Sequence, residues 1–86
     1  MPRYTLGRGG DLADKQYAAL PDDTRRLVDQ RIEELLKDPR GNPHLEYDEQ
    51  FSQYSIPIGE DKGWILYAVV EEGRVVIPLR FTPGLD

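Results

Sequence analysis

The residues with chemical potential in this chain are few. His44 opens the run HLEYDE, beside Glu46, Tyr47, Asp48 and Glu49. An imidazole next to a carboxylate and a phenol could exchange protons near neutral pH. A single histidine in an acidic loop is more commonly solvated. The run also supplies oxygen and nitrogen donors, but its spacing matches no established metal site, so neither a metal nor another cofactor is expected. Arg80, in VVIPLRF, could hold a phosphate or meet an acid on a partner; the plainer reading is an exposed strand-end charge. Tyr54 and Tyr67 could stack on bases, although tyrosines on strands more often serve as amphipathic packing. The glycine-rich GRGG, residues 7–10, lacks the Lys-Ser/Thr that follows a phosphate-cradling loop and reads as a hinge. There is no cysteine, hence no disulfide framework and no thiolate chemistry.

The chain has 86 residues, which predicts one domain over 1–86 with a thin core. Sixteen acidic residues face eleven basic ones, a net charge of −5. The excess is uneven. From Asp48 onward the acids are Asp48, Glu49, Glu60, Asp61, Glu71, Glu72 and Asp86, against Lys62, Arg74 and Arg80 alone. Neutralising phosphates supplies most of the affinity of a nucleic-acid binder, so nucleic acid is not the expected partner. No apolar run approaches the ~20 residues that span a bilayer. The N-terminal MPRYTLGRGG has no signal-peptide core. A cytoplasmic protein without a membrane partner is expected.

Any site must be positioned by the following elements. RYTL, residues 3–6, is a short strand candidate. A helix begins at Asp11, a candidate cap, with Leu12, Ala13, Gln16, Tyr17 and Leu20 on one side. Pro21 breaks it. A second helix restarts with Asp22 as candidate cap and Asp23 near its positive end. Thr24, Leu27, Val28, Arg31, Ile32, Leu35 and Leu36 repeat at helical spacing, and Pro39 and Gly41 stop it. The tight corner makes the helices antiparallel neighbours. Residues 40–50 read as a loop. QYSIPI, residues 53–58, alternates as a strand, with Pro57 indicating an edge or a bulge.

Residues 64–71 and 74–81 predict a hairpin turning at Glu72-Gly73. A regular register pairs Val70 with Val75, Ala68 with Ile77, Leu66 with Leu79 and Trp64 with Phe81. These eight share an entirely apolar face, which is expected to be the core and includes Trp64. The other face carries Ile65, Tyr67, Val69, Glu71, Arg74, Val76, Pro78 and Arg80. It is too apolar to sit bare in water, so a partner is expected to cover part of it. The fold class predicted is α+β: an N-terminal strand, a helical hairpin, then a three-stranded antiparallel meander, in two layers.

This order, with LPDDTRRLVDQRIEELLKDPRG at its centre, resembles the RelE/ParE toxin superfamily. Leu20-Pro21 matches the family's Leu-Pro corner, Leu35 and Asp38-Pro39 its helix ending, and Tyr67 its tyrosine-rich hairpin. The resemblance implies a toxin–antitoxin setting, with mRNA cleavage on the ribosome without a metal in the RelE type and gyrase inhibition in the ParE type. It also implies a small antitoxin that wraps the toxin. Metal-free cleavage needs a base, a cation for the phosphorane and an acid. The chain departs from the family at those catalytic positions. Its first long strand has Ser55 and Pro57 and no lysine. Anchoring on Tyr67 puts Trp64 where the family has an arginine directed into the substrate cleft, which would turn Trp64, Leu66 and Ala68 outward. The apolar periodicity predicts the opposite and is preferred here.

Three functional readings follow. The first is a toxin-module protein acting by protein binding, without efficient ribonuclease activity, with Ile65, Tyr67, Val69, Val76 and Arg80 meeting an antitoxin-like small protein. The second is a non-enzymatic interaction module of the same fold that self-associates or binds a basic partner. The third is a ribosome-dependent mRNA endonuclease using Arg80, Glu46 and Tyr67. It is opposed by the missing cations, because single groups of that kind are worth roughly 10²–10³ in rate.

Overall fold

The computed structural model describes residues 3–59 and 61–84. The chain runs β1 (Thr5–Leu6), α1 (Asp11–Ala19), α2 (Asp22–Lys37), β2 (Glu46–Asp48), β3 (Gln53–Pro57), β4 (Gly63–Val70) and β5 (Val75–Pro83). One five-stranded sheet has the order β1-β5-β4-β3-β2. β1 lies parallel to β5, and every other neighbouring pair is antiparallel. This is the expected α+β arrangement with one more strand. β2 forms inside the segment read as a loop. Leu45 and Tyr47 alternate with Glu46 and Asp48, a period-two signal that the surrounding polar residues obscured.

The helix starts differ in detail from expectation. Gly10 and Pro21 occupy the cap positions, and neither helix has a side-chain cap bond. Asp11 and Asp14 fall in the first turn of α1, Asp22 and Asp23 in that of α2, where carboxylates meet the positive end of the helix dipole. The corner at Leu20-Pro21 forms as predicted. Tyr17 Oη donates to Asp29 Oδ1 at 2.6 Å and ties the helices together. That hydrogen bond to the carboxylate raises the Tyr17 pKa, with burial adding to it.

Both helices lie on one side of the sheet. Ala13, Leu20, Val28, Leu35 and Leu36 pack against Ile56, Ile58, Ile65, Tyr67, Val76 and Phe81. Truncating a side chain buried like Leu35 to alanine costs about 2–5 kcal/mol. Polar anchors complete the joint. Gln16 Oε1 accepts from the Phe81 amide at 2.9 Å, and Arg31 Nε donates to the Ile58 carbonyl at 3.2 Å.

The hairpin corrects the sequence reading. Its turn is where expected, with Val70 opposite Val75 and Ala68 opposite Ile77. The face turned to the helices is the other one. Ile65 and Tyr67 are fully buried and Val76 nearly so, whereas Trp64 is 44% and Val70 40% exposed. Both faces are apolar mid-strand, so alternation alone could not decide between them. What decides is the fit of Ile65, Tyr67 and Val76 into the helical layer. A β-bulge then changes the phase of the far end. Tyr67 faces Pro78 but Leu66 faces Arg80, leaving Leu79 as the extra residue. Pro78 has no amide to give the ladder, which favours an irregularity there. Phe81 thereby pairs with Ile65 and turns inward, 4% exposed, instead of lying opposite Trp64.

Candidate functional site

The sheet's helix-free face has a distinct apolar character, with Trp64 and Val70 exposed on it. β4, the middle strand, contributes Trp64, Leu66, Ala68 and Val70 to it, and Val75 and Ile77 continue it on β5. Pro57 flanks Trp64 on the β3 side and Thr82 on the β5 side. Gly63 sets up this row. Its φ is 106°, and a Cβ there would fall 1.9 Å from the Thr82 carbonyl oxygen, so no larger residue can precede Trp64 without displacing β5.

One cross-strand row carries opposite charges at its two ends, and Asp48, two residues along β2 from Glu46, adds a further exposed carboxylate to this face. Glu46 pairs with Ser55, Ser55 with Leu66, and Leu66 with Arg80. Directly opposed residues on adjacent strands share a face. Glu46 and Arg80, both exposed, therefore stand on the open side at opposite ends of one row. Three strand spacings separate their backbones by roughly 14 Å. Groups that act on one reacting phosphate must lie within about 3 Å of the atoms they serve. Among the described residues Arg80 is the one cation of the β3–β5 strands on this face, and no carboxylate forms an ion pair with it.

Tyr67 does not join them. It points to the helices, and its hydroxyl donates to the Pro39 carbonyl at 2.7 Å in the buried layer. Burial pushes its phenol well above the ordinary tyrosine range, and the neighbouring Tyr54 adds to this. It is a structural anchor, with no access to the face that carries Glu46 and Arg80. The same correction applies to the expected partner surface. Ile65, Tyr67 and Val76 are core and Val69 packs against it, leaving Arg80 alone of that group on the open face.

The remaining tyrosines are also on the helix side. Tyr54 stacks on Tyr67 with ring centroids 5.5 Å apart, and Tyr47 lies 4.7 Å from Tyr54. Arg40, just past α2, donates through Nε to Tyr54 Oη at 3.0 Å and pairs with Glu71. Tyr4 Oη donates to Glu71 Oε2 at 2.9 Å. The Arg40 and Tyr4 hydrogen bonds hold the Glu71 carboxyl below its ordinary range. These contacts join the start of the chain, the end of α2 and the hairpin turn. The Tyr54 ring is engaged by Tyr67, Tyr47 and the Arg40 guanidinium, and Tyr67 is buried, so neither is open for base stacking. His44 is exposed, and its amide bonds to Asn42 Oδ1 at 2.8 Å in a local turn. Among the described residues no group of three or more His, Cys, Asp or Glu side chains is placed to hold a metal. No helix described is long and apolar enough to cross a membrane.

Sequence reasoning missed Trp64 as a surface residue. The signal was present: the family pattern anchored on Tyr67 turned Trp64 outward, and periodicity outweighed it.

The chain's fold is shared with RelE toxins. It superposes on the isolated E. coli RelE toxin with a TM-score of 0.81 at 20% identity, covering 96% of this chain and 86% of that one. The toxin–antitoxin complex RelBE2 of Mycobacterium tuberculosis gives 0.77 at 20% identity, covering 94% and 98%. The archaeal RelE–RelB complex of Pyrococcus horikoshii gives 0.68 at 18% identity, covering 96% of each chain. No family model and no curated protein matches the sequence.

Proposed function

We propose that this chain is the toxin-like member of a toxin–antitoxin module, working in the cytoplasm and acting by binding protein through the open sheet face, without efficient ribonuclease activity. The observation that carries the reading is Trp64. It stands exposed near the start of the middle strand of that face, where the resemblance puts a catalytic arginine. An indole cannot neutralise a phosphorane, but it is a strong anchor for a protein partner. Pro57 beside it, and Leu66, Ala68 and Ile77 further along the strands, give the face the composition of an interface core. The shared fold supplies the setting, since two of the structures it resembles are toxins in complex with their antitoxins. A small antitoxin-like protein is the corresponding partner here. Nucleic acid is not, because one arginine on an otherwise acidic and apolar sheet cannot track a polyanion.

Induction of the chain in a bacterial host tests this. Growth arrest relieved by a gene beside its own, with mRNA left intact on ribosomes in vitro, supports the reading. Ribosome-dependent cleavage abolished by Arg80→Ala overturns it in favour of an endonuclease. The absence of growth arrest overturns it in favour of a non-enzymatic interaction module, the second reading, which the same apolar face favours.

A further inference from the structure

Two of the three strand charges on the open face, Glu46 and Arg80 but not Asp48, are arranged in a way that points to a ligand for it. Glu46 and Arg80 sit at the two ends of one row, with Ser55 and Leu66 between them. Consider a two-fold axis parallel to the strands, passing between β3 and β4 and lying above the face. It brings a second copy face to face with the first and exchanges the ends of the row. Each Arg80 then stands over the other copy's Glu46, and each Glu46 over the other copy's Arg80. Sheets packed face to face lie about 10 Å apart with strands nearly aligned. An arginine and a glutamate reaching toward each other span that gap. The same operation lays Trp64 of each copy over Pro57 of the other, because Pro57 and Trp64 are direct neighbours across β3 and β4. Leu66 falls over Ser55.

We infer that the open face docks a second copy of this chain as a two-fold, face-to-face dimer, with Trp64 on Pro57 beside the axis at one end of the strands and reciprocal Glu46–Arg80 pairs at its flanks. A two-fold contact must be self-complementary. A row with opposite charges at its ends and an apolar neighbour row meets that condition; a row with like charges would not. The inference does not depend on the toxin reading. If both hold, self-docking and antitoxin binding compete for one surface. The face is small and each copy carries a net charge of −5, so the dimer is expected to be modest in affinity, on the order of micromolar.

The test uses the purified full chain alone. Trp64 is the single tryptophan, so its fluorescence reports this face without a label. Sedimentation across roughly 1–300 µM, a range set around that affinity, should reveal a monomer–dimer equilibrium with Trp64 emission shifting to the blue as dimer forms. Glu46→Arg and Arg80→Glu singly should each weaken association about tenfold or more, by placing like charges opposite each other twice. The double variant Glu46→Arg/Arg80→Glu should recover it. Both positions are exposed, and circular dichroism checks that each variant folds. A chain that stays monomeric throughout, a dimer whose Trp64 emission does not move, or a double variant as weak as the singles would each overturn the inference. Growth arrest is a separate readout, so failure of the toxin reading is distinguishable from failure of this one.

Discussion

Trp64 and Tyr67 are three residues apart on β4 and have opposite fates. Trp64 is half in water and lies outside the core cluster shared with the helices, so Trp64→Ala should change stability by no more than about 1 kcal/mol, read as a nearly unchanged urea midpoint. It should abolish tight association through the open face. Tyr67 is fully buried with its hydroxyl on the Pro39 carbonyl. Tyr67→Phe strands that carbonyl and should cost about 1–3 kcal/mol, measurable as a lower urea midpoint at constant m-value. Glu71 gives a pH signature. Arg40 and Tyr4 hold its folded pKa below its ordinary 4.5. The folded state therefore binds fewer protons there than the unfolded chain does. Its contribution is complete at neutral pH and is lost as pH falls below the ordinary value and through the depressed one. Glu71→Gln should flatten that part of the acid limb of a stability–pH profile and leave the alkaline limb unchanged.

At the level of elements, the β5 bulge is the feature on which the site depends. With Leu79 as the extra residue, Arg80 faces Leu66 on the open side and Phe81 faces Ile65 inside. Without a bulge and with Leu79 retained, every residue beyond Pro78 would shift by one and change face. Arg80 would then be driven toward the core and Phe81 toward water. Deleting Leu79 is a different matter, because Arg80 and Phe81 would keep their present partners in a regular ladder. The deletion variant is accordingly expected to fold, with Phe81 inside and cooperative urea unfolding. Loss of the folded state would mean that the bulge itself is required by the approach of Gly9 to the Pro78 carbonyl, where a Cβ would sit 1.5 Å from the oxygen. The element that sequence reasoning left out, β2, also belongs to this scale. It is short and its pattern lies in a polar segment, yet it places Glu46 on the open face and Tyr47 on the aromatic stack.

Considered whole, the molecule is a sheet covered on one side. The helical layer accounts for Ile56, Ile58, Ile65, Tyr67, Val76 and Phe81, and the described residues place no element over Trp64, Leu66 and Val70. An apolar surface of this kind on a chain of net charge −5 is the basis on which a protein partner and not a polyanion is proposed. The chain should show no salt-sensitive binding to RNA in filter binding at 50–200 mM salt, the range over which phosphate contacts would change affinity by orders of magnitude. Tight binding with a steep salt slope would mean that cations converge elsewhere on the molecule.

Local chemistry was sufficient for the helices, their corner at Leu20-Pro21, the hairpin turn with Val70 opposite Val75, the acidic balance, and the absence of a cation ahead of Tyr67. Each of these depends on residues close together in the chain: helical spacing, a proline, a Glu-Gly turn, a count of charges. The inward face of the hairpin does not. Trp64, Leu66 and Ala68 compete with Ile65, Tyr67 and Val69, and either set is apolar enough to form a core. Only the assembled structure decides, because the choice rests on contacts across long stretches of sequence. The Tyr67 hydroxyl finds a carbonyl at Pro39, Phe81 meets Gln16, and a bulge at Leu79 resets the phase. Those contacts bury one set and leave Trp64 facing out.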